Sequence, residues 1–386
     1  MFTLRSETQL DTTPFFQEFR LKLPFSSTRL GILETPHGKV ETPAFMPVAT
    51  KGTVKLTSTR DLEELGVQAL ISNAFLLSLK PGPQLLADMG GAHGFMNWGG
   101  CLFADSGGFQ MLRGKLLQKI SDEGIKFRSP YDGKSILIGP EDVVDINAAL
   151  GSDVAMMLDH VPKAGSGLCE NQEALRRTLK WAGQGLDYFR KQQETGAVKL
   201  GQQFFCITQG GIYPGLREIC IREMNKLDFD GYGIGGLCIG EAKKDMFKTI
   251  ALSDRLIPRE KMRYLMGVGK PSDIIRSVAL GIDIFDSVFP TRNARHRTFF
   301  CGTQALNIRN VSFARDKRPL EPDCECPTCQ RHSRSYIHHL YRSEEHIWMR
   351  LITIHNIHYM MRLMKRIRQA IREDSFLELA REYGVW

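Results

Sequence analysis

Eight short apolar runs recur along this sequence, several of them separated by longer charged stretches with helical periodicity. The runs cover residues 44–49, 67–72, 101–104, 153–158, 203–207, 231–237, 264–268 and 282–288; the helical patterns include 171–191, 215–226, 244–256 and 271–280. A strand buried on both faces reads as a continuous apolar run, and parallel strands can be joined only through a crossover, usually a helix. The alternation therefore predicts an α/β fold with a parallel sheet, and eight units predict a closed (β/α)8 TIM barrel. An open, doubly wound sheet is the alternative. The strand ends favour the barrel, because Asn73, Asp105, Asp159, Gln209, Gly236, Gly267 and Asp286 each stand at or near the C-terminal end of a run. A barrel gathers those ends at one mouth, where buried polar groups in such number need a ligand to pair with.

The barrel is expected over residues 44–290. Within 1–43, the turn Thr35-Pro36-His37-Gly38 joins two strand-like segments into a hairpin placed to plug the barrel floor. Beyond Pro290 the pattern changes: 292–297 is basic, 316–327 irregular, and 335–374 long and helical. Residues 291–386 therefore read as a zinc-binding C-terminal subdomain, with helices that complete the last barrel unit. No apolar run approaches the length of a membrane span. The first eighteen residues lack the apolar core of a secretory signal, so a cytoplasmic enzyme is expected. Lys plus Arg outnumber Asp plus Glu by 51 to 43, a net charge of +8 that suits a polyanionic partner.

The zinc assignment comes from the cysteines. Six of the nine, Cys101, Cys169, Cys206, Cys220, Cys238 and Cys301, are scattered, mostly in apolar surroundings, and read as small buried hydrophobes. The other three form Cys324-Glu325-Cys326-Pro327-Thr328-Cys329. Three thiolates and one histidine make a closed tetrahedral zinc site, structural because no coordination position stays open. His355 follows after 25 intervening residues, inside the long helical stretch. His332, His338, His339, His346 and His358 compete with it, and spacing alone leaves the fourth ligand open.

At the predicted mouth, Asp105-Ser106-Gly107-Gly108-Phe109-Gln110 follows an apolar run. Two glycines directly after a strand let the backbone approach a ligand closely. Gln209-Gly210-Gly211 and Gly235-Gly236 repeat the design. A side-chain amide beside bare backbone suits a planar hydrogen-bonding ligand such as a purine. Asp286, near the end of the eighth run, can attack an anomeric carbon as the nucleophile of a retaining glycosidase does, with Asp105 as the second carboxylate. Arg292, Arg295, His296 and Arg297 come next in the chain and point to an anionic substrate. Lys365, Arg366, Arg368 and Arg372 offer an alternative docking track.

Over about 30–371 these motifs resemble the tRNA-guanine transglycosylases (queuine tRNA-ribosyltransferases) of bacterial type. The matching segments are Thr42-Pro43-Ala44-Phe45-Met46-Pro47-Val48, Asp105–Gln110, Thr208-Gln209-Gly210-Gly211, Gly235-Gly236, Phe285-Asp286-Ser287-Val288-Phe289-Pro290-Thr291-Arg292 and the cysteine cluster. The resemblance implies a glycosyltransferase of queuosine biosynthesis that exchanges the wobble guanine of GUN anticodons for a 7-deazaguanine base, either 7-aminomethyl-7-deazaguanine or queuine. It implies Asp286 as nucleophile, through a ribosyl-aspartate intermediate, and Asp105 as general acid/base. Asp159, Ser106, Gln209 and Gly236 would read the base edge, and Phe109 and Met266 would stack on its ring. Lys270, Arg292 and Arg295 would hold the anticodon loop. Cys324, Cys326, Cys329 and His355 would bind one zinc ion per chain. A homodimer without an organic cofactor is implied as well.

Two residues depart from the family pattern. Bacterial members typically carry Asp-Glu-Cys where this chain has Asp159-His160-Val161. Val161 resembles the queuine-using animal enzymes, whereas Ile239, where those have Gly, favours the smaller precursor. Archaeal members usually carry further C-terminal RNA-binding domains, so a chain ending at Trp386 is expected outside that branch. Two rival functions have specific counter-arguments. A zinc hydrolase would need an open metal site at the mouth, and a non-catalytic partner subunit would lack the Asp286 motif.

Overall fold

The computed structural model describes residues 1–8, 27–107, 116–163 and 165–385. Sixteen strands occur among them: β1 (Phe2–Thr8), β2 (Thr28–Thr35), β3 (Gly38–Thr42), β4 (Ala44–Ala49), β5 (Ala69–Asn73), β6 (Cys101–Asp105), β7 (Leu117–Ser121), β8 (Gly124–Arg128), β9 (Ser135–Ile138), β10 (Val154–Met156), β11 (Gln203–Thr208), β12 (Gly231–Ile234), β13 (Met262–Leu265), β14 (Ile284–Ser287), β15 (Thr298–Cys301) and β16 (Gln304–Asn307). Eight of them close a barrel in the order β10-β11-β12-β13-β14-β4-β5-β6, each pair parallel. The chain is thus a (β/α)8 barrel, and all eight expected runs supply a strand.

Phe103, Phe205 and Tyr264 fill the barrel interior, with Phe103 edge-on to both of the others at 5.8 Å between ring centres. The seventh strand begins two residues earlier than its apolar run suggests. Arg263 hid that start: it is buried, and its Nη2 donates to the carbonyls of Asp254 and Ile257 at 3.1 Å each. Those carbonyls, with the Asp254 carboxylate 3.4 Å from Nε as counter-charge, let the charge sit in a core strand, although it breaks the sequence pattern.

The hairpin β2–β3 covers the N-terminal face of the barrel. Gln203 Nε2, at the start of β11, donates to the Glu34 carbonyl at 2.9 Å, and His37 Nδ1 pairs with Asp153 Oδ1 at 2.7 Å. Buried Arg29 forms an ion pair with buried Asp283, just before β14. These contacts all fall at the N-terminal ends of barrel strands, so the hairpin lies on the face opposite the polar strand ends.

Two additions follow the barrel pattern less directly. The antiparallel sheet β7-β8-β9 lies after β6 and was not visible as a sheet in the sequence, because its exposed positions include Lys119, Lys126 and Arg128. After β14 come the helix Phe289–Arg295, the hairpin β15–β16, and the helix Ile347–Arg372. That long helix is fastened behind the mouth by Asn356, whose Nδ2 donates to the carbonyls of Pro290 at 3.1 Å and Thr298 at 3.0 Å. Of the scattered cysteines, Cys101, Cys206 and Cys220 are buried as expected, while Cys169 and Cys238 are exposed and Cys301 is half-buried. No helix among the described residues is long and apolar enough to cross a membrane.

Candidate active site and metal centre

Asp159 follows β10, is buried, and accepts a hydrogen bond from Gln209 Nε2 at 2.5 Å. Burial pushes its carboxyl up to about 6, against the opposing pull of that hydrogen bond. Gln209 Oε1 is also buried and has no partner. Gly236 has φ +66, and a Cβ there would lie 2.4 Å from Gln209 Oε1, so only glycine fits between that amide and the chain. Asp159, Gln209 and Gly236 thus form one polar patch with an unpaired acceptor and an ionisable carboxyl.

Asp286 lies in the neighbouring part of the rim, partly buried near the end of β14. Its Oδ1 accepts the Tyr264 hydroxyl at 2.6 Å and the Gly267 N–H at 2.8 Å. Burial raises its carboxyl above the usual range, while the two donors hold it down. Tyr264 itself is fully buried, and burial beside Asp286 pushes its phenol far up, so it stays a donor. Both donors fall on one oxygen, which leaves Oδ2 for chemistry.

Asp105, at the end of β6, accepts from Asn73 Nδ2 at 3.2 Å and from the Gly107 N–H at 3.0 Å. Asn73 pairs with Asp105 across the β5–β6 register and also caps the helix Ala74–Leu79 through the Leu76 N–H at 2.7 Å. Ser106 is buried beside Asp105. Gly107 has φ +73, and a Cβ there would meet Phe75 at 2.2 Å, which explains the first glycine of that motif. Phe109, expected to stack on the ring, lies outside the described residues. Met266 is partly buried against the core, one residue before the Gly267 N–H that holds Asp286.

Lys270 caps the helix Pro271–Val278, and Arg292 and Arg295 lie on the helix Phe289–Arg295 just past Asp286. All three are exposed, and among the described residues none has a carboxylate partner. The alternative track is mostly engaged: Arg366 pairs with Glu382 at 2.6 Å, Arg368 donates to the Pro43 carbonyl at 2.9 Å, and Arg372 faces Glu41 at 3.6 Å. Lys270, Arg292 and Arg295 are thus left without a carboxylate among the described residues, whereas most of the alternative track is not.

Beside the Asp159 patch lies a cavity of about 680 Å³ whose lining includes His160, Val161, Cys238 and Ile239. Burial, then the nearby Arg177 charge, lowers His160 to about 4, so its ring is neutral at physiological pH.

Cys324, Cys326, Cys329 and His355 converge, all buried. His355 Nδ1 lies 3.5, 3.7 and 3.3 Å from the three sulfurs in that order, whereas His358 approaches only Cys324 among them, at 3.3 Å. A tetrahedral zinc ion with bonds of about 2.3 Å to sulfur and 2.0 Å to nitrogen would separate N from S by roughly 3.5 Å, so the donor set fits such an ion. His355 Nε2 faces the Phe300 carbonyl at 2.7 Å. Donation there fixes the proton on Nε2 and leaves Nδ1 as the ligand atom. The geometry thus separates His355 from its rivals, which spacing alone did not.

Two positioning side chains were not anticipated as site residues: Tyr264 and Asn73. Asn73 was visible as a polar strand end. Tyr264 carries no local signal, because its partner Asp286 is distant in sequence.

A family model described as queuine tRNA-ribosyltransferase matches residues 26–384. A protein of that name from Thermoanaerobacter sp. (strain X514) is 42% identical over 358 residues, spanning 93% of this chain and 94% of its own. One from Desulforudis audaxviator (strain MP104C) is 45% identical over 355 residues, spanning 92% and 94%. One from Staphylococcus aureus (strain JH9) is 43% identical over 358 residues, spanning 93% of each.

Proposed function

The chain belongs to the queuine tRNA-ribosyltransferase family, and from that premise we propose that it exchanges the wobble guanine of GUN anticodons for a 7-deazaguanine base through a covalent ribosyl ester on Asp286. The observation that carries this reading is the Asp286 carboxylate, with both of its donors on Oδ1 and with Oδ2 left to react. Oδ2 attacks C1′ of the target nucleotide. The C1′–N9 bond breaks, and guanine leaves with a proton from Asp105 on N9. The incoming base returns an N9 proton to Asp105, its N9 attacks C1′, and the ester opens to restore the Asp286 carboxylate. Two displacements at one carbon retain its configuration. The ester keeps the energy of the glycosidic bond, so no ATP is needed.

Asp159 accepts N1–H and the exocyclic amine of the guanine-like ring, while Ser106, Gln209 and Gly236 serve the rest of its edge. Met266 and Phe109 stack on its faces. The cavity beside Val161 and Ile239 takes the 7-substituent, and competition between queuine and 7-aminomethyl-7-deazaguanine measures which one it prefers. The Cys3His group holds zinc as a structural ion. The enzyme works in the cytoplasm, as a homodimer. Incubation with labelled guanine should label tRNAs with GUN anticodons and no others; folded protein that leaves them unlabelled would overturn the reading.

Asp159 sets a pH dependence. Its folded-site value of about 6 means that the carboxylate accepts two N–H groups above that pH and loses this capacity below it. The KM for free guanine, at saturating tRNA, should rise as pH falls below about 6, by roughly tenfold per unit. A flat profile between pH 5 and 7 would remove Asp159 from base recognition.

Lys270, Arg292 and Arg295 grip the anticodon loop. Replacing both arginines with alanine should raise the tRNA KM about tenfold or more and change kcat little, and each lost phosphate contact should flatten the log–log salt dependence by roughly 0.7 for a single strand. An unchanged KM and slope would place the tRNA elsewhere. If the slope holds but discrimination between loop sequences relaxes, the arginines read bases, each contact carrying about 1–3 kcal/mol.

A further inference from the structure

Arg217 lies in the first turn of the helix Pro214–Met224, with no exposed surface. No carboxylate pairs with it among the described residues. Its guanidinium instead holds three backbone carbonyls: Nη1 donates to Thr208 at 2.8 Å, and Nη2 to Gly211 at 2.9 Å and to Gly235 at 2.8 Å. Nε donates to the Gly211 carbonyl again, at 3.2 Å. Burial pulls the group down only to about 10, so it remains a cation at neutral pH. A buried charge without a counter-ion is costly unless its hydrogen bonds are well made, and here they are made to two different loops. The first runs from Thr208, the last residue of β11, to Gly211, and the second begins at Gly235 after β12. The Gly235 N–H closes the same joint by donating to the Thr208 carbonyl at 3.1 Å.

The consequence lies in the peptide between Gly235 and Gly236. Its carbonyl points at Arg217. In a trans peptide the N–H points the opposite way, so the Gly236 N–H is directed away from the guanidinium. That N–H has no acceptor among the described residues, and the chain at Gly236 packs against the Gln209 amide.

We propose that Arg217 is a positioning residue for base selection: by drawing in the Thr208, Gly211 and Gly235 carbonyls it turns the Gly236 N–H outward, to donate to the six-position carbonyl oxygen of a guanine-like base. This rests on the proposed binding of the base at Asp159, Gln209 and Gly236. Arg217 touches no base itself and acts through one peptide plane. The discriminating probe is 6-thioguanine, which keeps N1–H and the amine but replaces the six-position oxygen with a weakly accepting sulfur.

Binding of each free base is measured by calorimetry on the full chain, as wild type, Arg217→Met and Arg217→Lys. Arg217→Met should weaken guanine binding about tenfold, the worth of one hydrogen bond to a carbonyl, and leave 6-thioguanine within about threefold, so that the preference for guanine collapses. Arg217→Lys keeps a charge and three donors without the planar fork, and should lie between the two. It also serves alone if the methionine variant does not fold. Equal weakening of both bases would mean that Arg217 only supports the fold, and unchanged guanine binding would mean that the peptide holds its direction unaided; either result overturns the inference. Failure of the wild type to bind either base would instead refute the base site itself.

Discussion

Asp286→Asn should abolish base exchange, with kcat lower by roughly 10⁴-fold or more, the scale seen when a covalent nucleophile is removed. An amide is a poor nucleophile towards an anomeric carbon, and among the described residues no other carboxylate is bonded to the Tyr264 hydroxyl. The substitution is also structurally mild. The amide oxygen can still accept from Tyr264 and Gly267. Burial raises the Asp286 carboxyl above its usual range, so at neutral pH its ionised form works against folding, and a neutral amide removes that opposition. Melting temperature should therefore equal or exceed that of the wild type, and tRNA affinity should match it. Mixed with tRNA in the absence of free base, the wild type should yield a tRNA-linked band on a denaturing gel, and the variant none. A variant exchanging guanine at near the wild-type rate would transfer the nucleophile role to another residue.

Strands buried on both faces write themselves into a sequence as unbroken apolar runs, which is why the barrel was legible. One strand edge was an exception. Arg263 is held by backbone carbonyls and the Asp254 carboxylate, contacts that no local pattern records, so the start of the seventh strand was blurred. The carboxylates Asp105, Asp159 and Asp286 stood out because charge at the end of an apolar run is conspicuous. What holds them did not. Tyr264 reaches Asp286 from 22 residues away in the chain and reads as an ordinary aromatic strand residue. Arg217 sits in an amphipathic helix where an arginine is normally solvated, and only the fold reveals that it points inward. The cysteine cluster was legible from spacing because its loop is short. Its histidine was not, because a helix offers several at similar reach, and only the positions of the three sulfurs distinguish His355 from His358.

Loss of the metal should show how far that centre reaches. Cys326 does two jobs: it contributes a sulfur, and its Sγ accepts the Cys329 N–H at 3.4 Å, capping the helix Pro327–Arg331. Cys326→Ala should lower bound zinc from about one ion per chain to almost none and reduce the melting temperature by on the order of 10 °C, as several kcal/mol would in a chain of this size. Elemental analysis and calorimetry measure both. The functional effect should fall on tRNA before it falls on chemistry. His355 ties the metal loop to the Phe300 carbonyl, and the next residue, Asn356, holds the Pro290 and Thr298 carbonyls. Those anchors lie in the first turn of the helix Phe289–Arg295 and just beyond its end, and that helix carries Arg292 and Arg295. Asp159, Gln209 and Gly236 follow other strands (β10, β11 and β12), and among the described residues no hydrogen bond joins them to this anchor. At a temperature where the variant remains folded, the tRNA KM should therefore rise while the dissociation constant for free guanine stays within about twofold, a change too small to reflect a lost hydrogen bond. Equal losses in both would mean that the metal supports the whole barrel. A metal-free variant with unchanged melting temperature would end the structural role altogether.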